Sequence, residues 1–103
     1  MEVTMAGANI LLTARFKAKA GKEEEVERIL TSLLEPTNNE EGCLFYYLHK
    51  IKDDTGHFFF YEGYTDQAAF DAHVATSYVQ GFLNRTDELC AEPPDIKFLE
   101  KIG

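Results

Sequence analysis

Polar and apolar residues alternate along the first part of the chain with a period of two. Ile10, Leu12 and Phe16 share one face, and polar residues such as Thr13 occupy the other. Alternation of this kind is typical of a strand with one buried face. We therefore predict a first strand over residues 9–19.

The spacing of apolar residues then changes to that of a helix. Val26, Leu30 and Leu34 recur every four residues, which places them on one stripe that can pack against a sheet. Three glutamates at 23–25 precede them, and acidic side chains stabilise the first turn of a helix through its dipole. Pro36 is expected to end or kink this helix.

The middle of the chain predicts a hairpin of two strands, over residues 43–51 and 57–65. The connection between them is rich in turn-forming residues. Apolar and aromatic side chains occupy both faces of these strands rather than one. The aromatic ones are Phe45, Tyr46, Tyr47, Phe58, Phe59, Phe60, Tyr61 and Tyr64.

Helical signals dominate the segment after the hairpin. Thr65 or Asp66 can cap a helix over residues 67–75, and Thr76 or Ser77 can cap a second helix that continues almost to a pair of prolines. Those prolines stop the second helix, and alternating apolar residues after them predict a final strand.

The predicted order is strand, helix, strand, strand, helix pair, strand, with the last strand over residues 96–102. This order suits an α+β fold of the ferredoxin-like kind, in which a four-stranded antiparallel sheet carries its helices on one face. The other face would then expose aromatic residues of the hairpin. An uncovered apolar face favours aggregation, so we infer a homodimer in which a second copy covers it.

Length and composition indicate one globular domain spanning residues 1–103, with residues 1–8 as a flexible N-terminal extension. The chain is 45% hydrophobic and 13% aromatic, which excludes a disordered protein. No apolar run is long enough to span a membrane. The N-terminus lacks the pattern of a secretory signal, so we expect a cytoplasmic protein.

The charge balance excludes two classes of partner. Eighteen acidic and ten basic residues give a net charge of −8, which repels nucleic acids and anionic membranes. Cys43 and Cys90 show no metal-ligand spacing and are expected to be buried, reduced thiols. No metal motif, catalytic triad pattern or glycine-rich phosphate loop is present in the sequence, so we predict no metal and no bound cofactor.

His73 and Glu62 are the candidate ionisable residues of a pocket. The short connection at Thr65 and Asp66 returns the next helix over the strand that carries Glu62, so His73 can face the same cavity. His73 could then act as an acid or base near neutral pH, or it could be a partly exposed helix histidine. Glu62 could be a buried carboxylate with a raised pKa, or it could pair with a cation such as Arg15 across a dimer.

Five segments carry a resemblance to a known family. They are Ala14–Glu23, Glu35–Thr37, Glu41–Leu44, Phe60–Tyr64 and Ala69–His73. Together they resemble the antibiotic biosynthesis monooxygenase domain family, over nearly the whole chain. The resemblance implies a dimeric α+β barrel built from two ferredoxin-like subunits. The family includes quinol monooxygenases and an isomerase of a signal molecule.

The resemblance therefore implies a cofactor-independent monooxygenase that acts on a small quinol or phenol. An electron-rich phenol can reduce oxygen directly once it is deprotonated, so the protein needs to supply a base, a dry cavity and orientation. One alternative is an isomerase of a small hydroxylated carbonyl compound, which would use the same base without oxygen. Another is a dimer that binds a small aromatic or quinol-like molecule without catalysis.

Under the monooxygenase hypothesis each candidate residue has a role. His73 is the base, and Glu62 polarises or orients His73 or the substrate hydroxyl. Tyr64 and Tyr78 stack on the ring or form a hydrogen bond with it. Two further substrate-binding candidates complete the predicted site, namely Phe60 in the aromatic row and His49 at the entrance.

Overall fold

The computed structural model describes residues 10–103, so the predicted extension at residues 1–8 lies outside the described residues. The strands are β1 (Ile10–Lys17), β2 (Cys43–Lys50), β3 (His57–Tyr64) and β4 (Asp95–Leu99). The helices are α1 (Glu23–Ser32), α2 (Leu34–Asn38), α3 (Gln67–Val74), α4 (Ser77–Leu83) and α5 (Thr86–Leu89). The strands form one antiparallel sheet in the order β2-β3-β1-β4, with the helices on one face. The predicted ferredoxin-like α+β fold is confirmed.

Pro36 interrupts the first helical region without ending it. α1 stops at Ser32, and the chain continues as α2, in which Pro36 is the third residue. Proline lacks an N–H group, and its ring clashes with the carbonyl four residues earlier, which here belongs to Ser32. The break therefore falls at Leu33, one turn before the proline.

The two helices after the hairpin begin at predicted caps. The Asp66 side chain accepts a hydrogen bond from the Ala69 N–H at 2.8 Å, which satisfies a free donor in the first turn of α3. Thr76 accepts one from the Val79 N–H at 3.4 Å at the start of α4. Of the alternatives, Asp66 and Thr76 are thus the capping residues.

Two predicted boundaries are wrong in the last third of the chain. The predicted second helix is split, because α4 ends at Leu83 and α5 begins at Thr86. The Thr86 hydroxyl donates a hydrogen bond to the Leu83 carbonyl at 3.0 Å, a local contact that competes with a continuous helix. The last strand was predicted over 96–102, but its pairing with β1 runs from Asp95 to Leu99.

The strand register determines which side chains form the core. Leu12 pairs with Glu62 and Ala14 with Phe60 between β1 and β3, and Tyr46 pairs with Glu62 between β2 and β3. These residues therefore share the face that the helices cover, and all of them are buried. The apolar stripe of α1 packs against this face and completes the core.

The opposite face of the sheet carries an aromatic cluster that residues 10–103 leave uncovered. Phe45 packs against Tyr61 and Tyr47 with ring centroids 4.8 and 5.5 Å apart, and Tyr47 is 57% exposed. The predicted aromatic character of both sheet faces is therefore observed. None of the helices within residues 10–103 is long and apolar enough to cross a membrane.

Candidate active site

A cavity of about 350 Å³ lies between the sheet and the helices. Within residues 10–103, its wall is apolar except for Glu62, His73 and the phenol group of Tyr46. The apolar lining consists of Leu12, Ala14, Phe16, Leu30, Leu33, Phe60, Phe70, Val74, Val79, Phe82, Leu83, Pro94 and Ile96. Since Ile96 on the edge strand β4 is 42% exposed, the cavity opens beside that strand.

Glu62 extends from β3 into this cavity and is only 3% exposed. The Tyr64 hydroxyl donates a hydrogen bond to Glu62 Oε1 at 2.8 Å. Burial penalises the charged form and raises the pKa of Glu62 to about 7; the Tyr64 hydrogen bond opposes this shift and the charge of Glu40 adds to it. Glu62 is therefore a carboxyl group that can hold or release a proton near neutral pH.

His73 lies on the last turn of α3 with its ring 4% exposed. Its ring centroid lies 5.4 Å from Tyr46 and 5.2 Å from Tyr64, so two tyrosines of the sheet limit its movement. His73 Nε2 lies 3.9 Å from Glu62 Oε1, which is too long for a direct hydrogen bond. The predicted approach of these two residues to one cavity is observed.

Glu40 completes the ionisable group and was not predicted as a site residue. It lies on the turn after α2, and its Oε1 and Oε2 atoms are 3.1 and 3.0 Å from His73 Nδ1. The Tyr78 hydroxyl donates a further hydrogen bond to Glu40 Oε2. Burial, together with this contact, raises the pKa of Tyr78 to about 12. His73 thus has a carboxyl group on each side.

A close contact between the turn and α3 explains how Glu40 reaches His73. A Cβ atom at Gly42 would lie 2.3 Å from the Ala69 Cβ, so glycine allows the helix to pack directly on the turn. Ala69 and His73 are four residues apart and therefore lie on one face of α3. The same face that contacts the turn consequently directs His73 towards Glu40.

The remaining predicted site residues divide into three positions. Phe60 lines the cavity as predicted. Tyr64 and Tyr78 do not line the cavity. The Tyr64 hydroxyl contacts Glu62, and the Tyr78 hydroxyl contacts Glu40. Burial raises the pKa of Tyr64, with the charge of Glu62 as a second cause, which favours a neutral phenol there.

One sequence-based expectation about this site is wrong. His49 was predicted at the entrance, but it pairs with Phe59 and stacks on that ring at 4.6 Å, on the uncovered face of the sheet. A bulge at the start of β2 sets this register, and both faces of β2 are apolar, so the pattern alone was ambiguous. Arg15 lies on the same uncovered face and donates a hydrogen bond to His57. Its pairing with Glu62 across a dimer stays a prediction.

The two cysteines lie outside this ionisable group and form no disulfide. Both are free thiols; Cys90 is buried and Cys43 half-buried. Burial, with the nearby charges of Glu40 and Glu62, raises the pKa of Cys43 to about 11, so it remains a thiol near neutral pH. Within residues 10–103 no group of three His, Cys, Asp or Glu side chains lies close enough to hold a metal ion.

Comparisons with known proteins agree with this fold. Residues 9–85 match the family model described as antibiotic biosynthesis monooxygenase. The chain is 30% identical over 96 residues to an uncharacterised protein of Synechocystis. The aligned region covers 93% of this chain but 65% of that protein's length. It is 33% identical to the Bacillus subtilis protein named "Putative monooxygenase YcnE", over 84% of this chain and 92% of that protein. A crystal structure of a Pseudomonas aeruginosa protein superposes with a TM-score of 0.88 at 30% identity, covering 95% of this chain and 98% of that one.

Proposed function

Because the chain belongs to the antibiotic biosynthesis monooxygenase family, we propose that it oxygenates a small phenol or quinol without a bound cofactor, with His73 as the base. The observation that supports this most is the pair of His73 Nε2 and Glu62 Oε1, 3.9 Å apart in the wall of an apolar cavity. A hydroxyl oxygen placed between them can lie about 2.8 Å from each atom. The pair is therefore suited to hold and deprotonate one hydroxyl group.

The chemistry needs no external reductant. His73 Nε2 takes the proton of the phenol hydroxyl, and the phenolate gives its electrons to dioxygen while a C–O bond forms at a ring carbon. The O–O bond then breaks, leaving one oxygen on the ring as a carbonyl. The other oxygen leaves as water, with the ring hydrogen and the proton that His73 held. The sum is phenol plus dioxygen giving quinone plus water.

Each part of the cavity has a task in this reaction. The apolar wall excludes water, which strengthens the interaction between the phenolate and the charged base. Phe60 offers a face on which an aromatic ring can stack. Glu62 can relay the ring proton to the departing oxygen, because its pKa of about 7 lets it hold and release a proton near neutral pH. Among residues 10–103, no lysine or arginine lines the cavity, which favours an uncharged substrate over an anion.

Oxygen uptake with a panel of naphthols and hydroquinones tests this proposal. We expect His73→Ala to lower kcat by about a hundred- to ten-thousand-fold, as for loss of a general base. His49→Ala is the matched control, because it removes a histidine from the uncovered face of the sheet. Turnover of a hydroxylated carbonyl compound without oxygen would instead support an isomerase. Tight binding without any turnover would support a non-catalytic binding protein.

A further inference from the structure

The hydrogen bonds of His73 are unequal on its two nitrogen atoms. Nδ1 faces both oxygens of Glu40, at 3.0 and 3.1 Å. Nε2 has Glu62 as its polar neighbour at 3.9 Å, beyond hydrogen-bond distance. An ionised carboxylate can only accept hydrogen bonds, so the proton of a neutral imidazole is stabilised on Nδ1. Nε2 is then left with a free lone pair that faces the cavity.

We propose that Glu40 is a positioning residue that holds neutral His73 as the Nδ1–H tautomer and so keeps Nε2 available as the base. This inference rests on the proposed function only for its catalytic consequence. The tautomer itself is a property of the resting protein. Glu40 does not line the cavity between the sheet and the helices, so it would act through His73.

A second contact fixes the orientation of Glu40. The Tyr78 hydroxyl donates to Glu40 Oε2, and Tyr78 is held on α4 against the carbonyl of Pro36 at 3.4 Å. Tyr78, predicted as a substrate contact, therefore has a supporting role two steps away from the cavity.

Glu40 is also the member of this group that reaches solvent. Its side chain is 16% exposed, whereas those of His73 and Glu62 are each 5% exposed. It lines a surface cleft between the turn and the outer side of α3. The other residues of that cleft are Glu41, Gly42, Thr65, Asp66, Ala68, Ala69, Ala72 and Thr76. The proton on Nδ1 can accordingly exchange with water through Glu40 without opening the apolar cavity.

Glutamine at position 40 separates this role from a packing role. Glu40→Gln keeps the size of the side chain, but its amide group can donate to Nδ1 and so permits the opposite tautomer. Glu41→Gln is the matched control, because it removes the same charge from the next residue, which is exposed. Both variants are checked for folding by circular dichroism before use.

Nitrogen-15 NMR of the histidine rings gives the direct readout, at a pH at which the shifts report neutral imidazole. We expect the wild type and Glu41→Gln to show His73 with its proton on Nδ1, and Glu40→Gln to populate the Nε2–H form. A wild type with the proton on Nε2, or a Glu40→Gln spectrum equal to that of the wild type, would overturn the inference. Neither result depends on turnover, so it is distinct from failure of the proposed function.

Kinetics provide the second readout once a substrate is known. We expect Glu40→Gln to lower kcat on the order of 100-fold with KM nearly unchanged, because the base is misaligned while the cavity stays intact. Glu41→Gln should keep the wild-type kcat. An equal loss in both variants would indicate a general effect of surface charge and would contradict a positioning role for Glu40.

Discussion

At the scale of single residues, the fold changes the acidity of Glu62. It places a carboxyl group among apolar and aromatic side chains, with one tyrosine as hydrogen-bond donor. Burial therefore raises the pKa of Glu62 from 4.5 to about 7. A carboxyl group with a raised pKa weakens the folded state whenever it is forced to ionise. The same property that suits Glu62 to proton transfer thus carries a cost in stability.

Glu62→Gln tests this cost through the pH dependence of stability. Below pH 4.5 the carboxyl group is protonated in both the folded and unfolded states, so it contributes no penalty. Between pH 4.5 and about 7 the unfolded state ionises first, so the penalty grows, and above pH 7 it is constant. We expect urea unfolding to show that Glu62→Gln gains up to about 3 kcal/mol relative to the wild type as pH rises through this window. A difference that stays constant from pH 4 to 8 would show that Glu62 is not held in a desolvated site.

The approach of Glu62 and His73 to one cavity could be predicted from the sequence for a physical reason, whereas their catalytic roles are proposals. A short capped connection after β3 leaves α3 little freedom except to return over the strand it leaves. Glu40 could not be found in this way, because its contact with His73 joins residues 33 positions apart and depends on how a turn packs against a helix. His49 was misplaced because both faces of β2 are apolar, and the bulge that sets the register leaves no sequence signal.

At the scale of elements, the site depends on the position of α3. Its cap at Asp66 fixes where the helix begins, and its contact with the turn at Gly42 fixes how closely it approaches β2. The general element order was predictable because β1 and α1 have a clear period, and turn-forming or capping residues mark where the later elements begin. The bounds of the last elements were not, because local side-chain contacts and strand pairing decide them.

Gly42→Ala tests the packing of α3 on the turn. The added Cβ would meet the Ala69 Cβ at 2.3 Å, and neither atom can rotate away. We expect a loss of about 1–3 kcal/mol in the free energy of unfolding, as for overpacking, together with a change in the NMR shifts of His73. Gly81→Ala is the matched control: nothing lies within 4 Å of its Cβ position on α4, so it should gain about 0.5–1 kcal/mol. A neutral Gly42→Ala would show that α3 does not depend on this contact.

At the scale of the whole molecule, the sheet face opposite the helices is the apolar surface that residues 10–103 leave exposed to solvent. Phe45, Tyr47, Phe59 and Tyr61 form apolar surface across β2 and β3, and Tyr47 is its most exposed member. The other face of the sheet forms the core and one wall of the cavity. One face therefore carries the candidate site, and the other is free for a partner. A second copy of the sheet is the partner that we predicted from the sequence, and it remains a prediction.

Tyr47→Glu tests whether a homodimer forms through this face. We expect the wild type to be a dimer at micromolar concentration by light scattering, and Tyr47→Glu to be a folded monomer, because a charge cannot be buried there without a partner. Thr31→Glu adds the same charge to the exposed side of α1 and should leave the dimer intact. A monomeric wild type, or a dimer that survives Tyr47→Glu, would contradict an interface on this face.

The central claim is that the cavity of His73 and Glu62 inserts oxygen into a phenol. The most direct measurement is turnover of 1-naphthol under labelled dioxygen, with the product analysed by mass spectrometry. We predict a quinone that carries one labelled oxygen atom, a second labelled atom in water, and loss of this product in folded His73→Ala. A product without the label, or one formed at the wild-type rate by His73→Ala, would contradict the claim.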